Sequence, residues 1–317
     1  MVVCAYDCGR GVGQRERFVS RERAYHGVNM AGVSLSGMIK NRQAFGPGIP
    51  GVVHMRHTWT PENRFVKGQP ETGVELAEDL LRIATNYGPD TIAACVVEPV
   101  AGSTGCLVPP KGYLERIREI CDDHGILLIF DEVICGFGRM GTPFASQAFG
   151  VTPDIMTMAK ALTNAAQPMG AVAVRDKVYD AIVDGSPDGA IEFFHGYTYS
   201  AHPAACAAGI ATMEIFEKEN LIGRAAELSE YFLDQVFALS DIPMITDIRG
   251  YGLFAGIDLE PMGNPGVRGL DFQKRMFKNG LHLKMTGDAA LISPPLIAER
   301  HHIDKICELM RQTLAEY

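Results

Sequence analysis

GILLIFDEV, residues 125–133, decides how the rest of the chain is read. Five apolar residues, Ile126 to Phe130, run without interruption into two carboxylates, Asp131 and Glu132. The run is too short for a buried helix and reads as a strand covered on both faces. Working outward, RFVS (17–20), TIAACVVEP (91–99), DIMTMA (154–159) and GAVAVR (170–175) have the same character. Between them, 71–88 and 112–125 carry apolar residues three and four apart and end at Gly88 and Gly125, the pattern of helices. Strands alternating with helices predict an α/β domain with a mostly parallel sheet.

Beyond a long helix in HPAACAAGIATMEIFEKENL (202–221) the texture changes. PMITDIRGYGLFAGIDLE (243–260) reads as two strands and DFQKRMFKNG (271–280) as a helix. GLHLKM and AALISPP read as strands, and 299–317 as a closing helix. The expected division is a large α/β domain over 1–215 and a smaller α+β domain over 216–317. The stretch 35–70, with four prolines, is too long for a bare connector and is expected to be a functional loop.

Composition narrows the partners. The 317 residues carry a net charge of −9, and Lys and Arg form no stripe, which argues against nucleic acid. No apolar stretch is long enough for a membrane span and no secretion signal opens the chain, so a soluble, cytoplasmic protein is expected. Eight cysteines without a C-x-x-C pair suit reduced, largely buried thiols. His301 and His302 lack a spaced carboxylate or cysteine partner, and no metal is expected.

In open α/β sheets ligands sit beyond the carboxyl ends of the strands. Glu98 ends one apolar run, Asp131 and Glu132 end the next, and Lys160 follows DIMTMA. A carboxylate at the end of a buried strand is costly unless it meets a cation or a donor. One such residue reads most simply as a turn cap; several, with a lysine beyond the following strand, point to chemistry. Lys160 stands among Ile155, Met156, Met158, Ala159, Ala161 and Leu162. Its stem could lie on apolar surface with the ammonium in water, or burial could lower its pKa and make it a nucleophile toward a carbonyl. Lysine plus strand-end aspartate suits pyridoxal phosphate: the aspartate keeps the pyridine nitrogen protonated and the lysine carries the cofactor as an imine. GFGRMG (136–141) also fits G-x-G-x-x-G, a dinucleotide fingerprint. No long amphipathic helix follows it, however, and the carboxylates before it would repel a pyrophosphate.

YHG (25–27), VVEPVAGSTG (96–105), LLIFDEVICGFGRMG (127–141), PDIMTMAKALTN (153–164), PMGAV (168–172) and GYTYSAHPAACAAG (196–209) together resemble the class III, or ω-type, aminotransferases. The resemblance implies the aspartate-aminotransferase fold (fold type I) and pyridoxal 5'-phosphate. It makes Lys160 the imine-forming lysine and Asp131 the partner of the pyridinium nitrogen. Val133 and Tyr25 become the side chains on the two ring faces, with His26 beside Tyr25 in the cofactor site. Glu98 becomes a glutamate near cofactor and substrate. Thr198, with Tyr197 beside it, becomes the hydroxyl that reaches the neighbouring subunit's cofactor phosphate, which implies a homodimer with shared active sites. The implied reaction moves an amino group from an ω-amino acid or amine to a keto acid such as pyruvate. An aminomutase, a decarboxylase of the same fold, or a catalytically silent fragment would share these residues.

Two departures stand out. Members of this family carry a longer segment before YHG, with a Gly-Ser helix start that holds the cofactor phosphate; MVVCAYDCGRGVGQRERF does not match it. The chain therefore reads as N-terminally shortened, with weak or no cofactor binding as the expectation and GRGVG (9–13) a poor substitute. Where many members place an arginine before a G-D…PP segment, this chain has Lys284, a point charge without the bidentate fork. Looser selection of the substrate carboxylate, or a contribution from Arg249, is expected.

Overall fold

A computed structural model describes residues 1–317. Its strands are β1 (Arg17–Arg21), β2 (Val52–Met55), β3 (Ile92–Val97), β4 (Leu127–Asp131), β5 (Ile155–Met158), β6 (Ala171–Val174), β7 (Ile245–Tyr251), β8 (Phe254–Leu259), β9 (Lys284–Thr286) and β10 (Ala289–Ile292). The first six form one sheet in the order β2-β1-β3-β4-β5-β6, parallel except for β6 at the edge.

The pleat explains why β3 and β4 are apolar throughout. On β4, Leu128 and Phe130 pack into one cluster with the helices Glu78–Tyr87 and Tyr113–His124, while Leu127 and Ile129 meet Val3, Tyr6 and Val178 on the other face. Successive side chains point to opposite faces, so a strand covered on both sides has no polar position until it ends. At that end the alternation separates the two carboxylates. Asp131 turns to His26, and Glu132 accepts from the amides of Ala145 (3.0 Å) and Ser146 (2.8 Å).

A second, wholly antiparallel sheet has the order β7-β8-β10-β9. Three helices, Leu221–Phe237, Val267–Lys278 and Arg300–Leu314, supply its core partners, among them Phe232, Phe272 and Met310.

Several elements go beyond the sequence reading. Helices also form at Val2–Gly9, Asp176–Asp184 and Leu221–Phe237. The stretch 35–70 is no bare loop: it holds the helix Ile39–Phe45 and edge strand β2, and Trp59 Nε1 donates to Asp247. Regular pairing there satisfies backbone groups that a long irregular segment would leave without partners. GLHLKM contributes only Lys284 and Met285 to a strand. GRGVG lies at the carboxyl end of the helix Val2–Gly9, where the unpaired backbone groups are carbonyls, so it is no anion nest.

Candidate active site

The carboxyl ends of β3, β4 and β5 bring Glu98, Asp131 and Lys160 together beside a cavity of about 990 Å³. Asp131 Oδ2 lies 2.8 Å from Nδ1 of His26, and its Oδ1 accepts from the Val133 amide at 3.1 Å. The Asp131 carboxylate thereby fixes the His26 ring, whose Nε2 is buried without a protein partner. Tyr25 and Val133 line the cavity, as do Gly102 and Ser103 from the loop after β3.

Glu98 does not line the cavity. It is buried, its Oε1 accepting from the Tyr25 amide (3.0 Å) and its Oε2 from the Gly102 amide (2.9 Å). Burial pushes its pKa up; His26 opposes that and the neighbouring Asp131 charge adds to it. Its own carbonyl accepts from buried Arg21.

Lys160 opens a single 3₁₀ turn after β5 with φ of +46°, left-handed backbone that a lysine rarely adopts. Asn164 and Ala165 close by are also left-handed, and backbone outliers of this kind concentrate at functional sites. Surrounding atoms desolvate the Lys160 ammonium and lower its pKa, while Asp131 and Glu98 act in the opposite sense and Lys284 adds to the lowering. Burial thus favours the uncharged amine, which stays accessible from the cavity. Lys284, the first residue of β9, lines the same cavity from the second sheet.

Two expectations need correction. Arg249 is no substrate ligand: it is buried, pairs with Asp247 and Asp258 (2.7 Å to Asp258 Oδ1), and gives two N–H groups to the Gly105 carbonyl. With two carboxylates and a carbonyl filling its fork, it has no donor left for a ligand. His301 and His302 do have a carboxylate nearby, Glu299, whose Oε2 is 3.3 Å from His301 Nδ1. All three are exposed, and Glu299 and His302 form a helix-capping box.

Tyr197 and Thr198 are exposed and lie away from the cavity of their own chain. The G-x-G-x-x-G run leads into a helix of only four residues, Ala145–Ala148, which supplies no dinucleotide-binding helix. Arg139, within that run, lines the cavity and was missed in the sequence, where only its place in the fingerprint drew notice.

An accessible amine with a lowered pKa, a carboxylate at the neighbouring strand end, and an aromatic and an aliphatic side chain on one cavity fit pyridoxal phosphate. The fold and this donor set define a fold type I pyridoxal-phosphate-dependent transferase. A sequence profile for aminotransferase class-III matches residues 2–314. The chain is 53% identical over 317 residues to the omega-aminotransferase of Caulobacter vibrioides, covering 99% of this chain and 72% of that protein. It is 44% identical to the beta-alanine–pyruvate aminotransferase of Pseudomonas aeruginosa, covering 96% of this chain and 68% of that protein. A crystal structure of the omega transaminase of Pseudomonas jessenii in complex with PMP superposes with a TM-score of 0.93 at 34% identity, over 99% of this chain and 71% of that one. The chain belongs to the class III aminotransferases, and it is a pyridoxal-phosphate-dependent aminotransferase.

Proposed function

We propose that the chain transfers an amino group from an ω-amino acid or primary amine to a keto acid of the pyruvate type, as a homodimer. The observation that carries this reading is the meeting of Lys160, with its lowered pKa, and Lys284 on one cavity, with the buried Asp131–His26 pair acting on Lys160 from behind Tyr25 and Val133 in the chain. The names of the related proteins, omega-aminotransferase and beta-alanine–pyruvate aminotransferase, support the substrate class.

The cofactor, when bound, supplies an electron sink for breaking a bond at the amine-bearing carbon. The side chains do the rest. Lys160 would hold the cofactor through its Nζ and, when that atom is free, would carry a proton on it. Asp131, oriented by His26, would provide the negative charge that favours a protonated ring nitrogen. Tyr25 and Val133, both on the cavity wall, would hold the cofactor there, and Glu98 keeps Tyr25 in place through its amide. Lys284 attracts the carboxylate of the acceptor as a point charge.

The dimer rests on the stretch 190–202. Phe194 is 91% exposed, Tyr199 79%, Tyr197 73% and Ile191 66%. A run of outward-facing rings of this size marks a contact surface, and it carries Thr198 toward a second copy's cavity. Cytoplasmic residence remains part of the proposal.

The test is borohydride reduction of the purified protein with pyridoxal phosphate, followed by peptide mass mapping. A reduced adduct on Lys160, together with conversion of a keto-acid acceptor, is expected. An adduct elsewhere, or none, overturns the assignment.

A further inference from the structure

The GFGRMG loop lies against the second sheet, and Arg139 makes the hydrogen bonds of that contact. Its Nη1 donates to the carbonyls of Leu253 (3.0 Å) and Pro294 (2.6 Å), and the Leu253 amide donates back to the Arg139 carbonyl at 2.9 Å. Leu253 sits in the β7–β8 turn and Pro294 just past the end of β10. One residue following the strand that bears Asp131 thus holds two separate segments of the other sheet.

The surroundings are shaped for this approach. Gly252 has φ of +61°, and a Cβ there would stand 2.5 Å from the Arg139 carbonyl oxygen and 2.6 Å from Met140 Cα. Only glycine permits the turn to come so close. Beyond Ile292, Pro294 and Pro295 have no N–H and cannot extend the ladder. That segment is therefore anchored to the first sheet by what its carbonyls accept. No carboxylate pairs with Arg139, so its donors serve carbonyl groups, and burial pushes its pKa down to about 10.

The cavity wall includes Phe254, the first residue of β8 next to Leu253, and Ser293, Pro294, Pro295 and Leu296 from the run after β10. Lys160 lines the same cavity from the first sheet. We propose that Arg139 is a positioning residue that sets the width of the substrate cavity, by clasping the Leu253 turn and the Ser293–Leu296 segment to the loop after β4. The width matters because the cavity is read here as the transamination site. The clasp leaves Lys160, Asp131 and His26 untouched, so its removal loosens the wall the substrate leans on while sparing the proton-transfer machinery.

Two measurements on the full chain with its cofactor test this. In the first, Arg139→Ala raises KM for pyruvate about tenfold while kcat falls less, the pattern of lost binding shared by ground and transition states. Bulky amine donors lose less than small ones. Arg139→Lys recovers part of the loss, because an ammonium can still donate to both carbonyls. In the second, hydrogen exchange followed by mass spectrometry shows faster exchange in Arg139→Ala at 253–255 and 291–297, with 92–98 and 127–131 unchanged. Uniformly faster exchange, or unaltered exchange at both held segments, overturns the clasp, as does an equal fall in kcat and kcat/KM for small and bulky donors. The exchange pattern is independent of turnover: a wild type that fails to transaminate yet shows the local change in the variant refutes the proposed function and keeps the clasp.

Discussion

Two parts of the candidate site are built in opposite ways. At the ends of β3 and β4, Glu98 and Asp131 are buried, and each is matched by donors from the same chain: Tyr25, Gly102, His26 and Val133. In the stretch 190–202, Phe194, Tyr197 and Tyr199 present their rings outward, and exposed Thr198 does not line the cavity. The first part is complete within one fold because a buried carboxylate cannot wait for a partner without a large cost. The second can wait, since exposed rings cost little until a surface arrives to cover them. The proposed chemistry rests on the self-sufficient part, and the proposed assembly on the open one.

The strongest test of that division is Lys160→Ala, expected to lower kcat by about 10³-fold or more without dissociating the protein. Steady-state kinetics beside light scattering checks it, and loss of assembly with loss of activity would break the comparison. Next comes Glu132, on the opposite face of the β4 end, whose pKa burial raises to about 7. The native state keeps that proton up to about pH 7, while the unfolded chain releases it near 4.5. The unfolded state then binds fewer protons across this interval, so stability is full below it and falls as pH rises through it. Glu132→Gln removes that slope, and by pH 8 the slope amounts to about 3 kcal/mol. Melting of the two proteins from pH 4 to 8 measures the gap; Asp7, raised by burial to about 6, titrates in both and cancels. A constant gap contradicts the assignment. Phe194→Asp is expected to weaken self-association by about 2 kcal/mol, roughly thirtyfold in dissociation constant, with little change in melting. A wild type that sedimentation shows to be monomeric at every concentration removes the role given to the exposed rings. The smallest expected effect is at Lys284. Its replacement by Ala raises KM for keto acids about tenfold and leaves aldehyde acceptors alone; equal changes for both sink the carboxylate role.

β3 and β4 were legible because they are covered on both faces, so GILLIFDEV and TIAACVVEP read as unbroken apolar runs whose first polar residues mark the strand ends. Lys160 was legible for a related reason, as a cation among methionines. Arg249 was not. Asp258, which fills its fork, lies nine positions on, and only the β7–β8 pairing returns it to Arg249. The helix Leu221–Phe237 has the spacing of an amphipathic helix, but Gly223 in its first turn and left-handed Asn220 before it blur its start. Glu98 stood out as the end of an apolar run, yet its hydrogen bonds to two backbone amides leave no trace in residue type or spacing.

That Glu98 carboxylate has a consequence for anyone reshaping the pocket. Its two oxygens tie the amide of Tyr25 to the amide of Gly102, so the aromatic wall and the loop at 102–103 share one anchor. A substitution at Ser103 made to admit a larger amine will also shift Tyr25, and positions 25 and 103 should be varied as a pair.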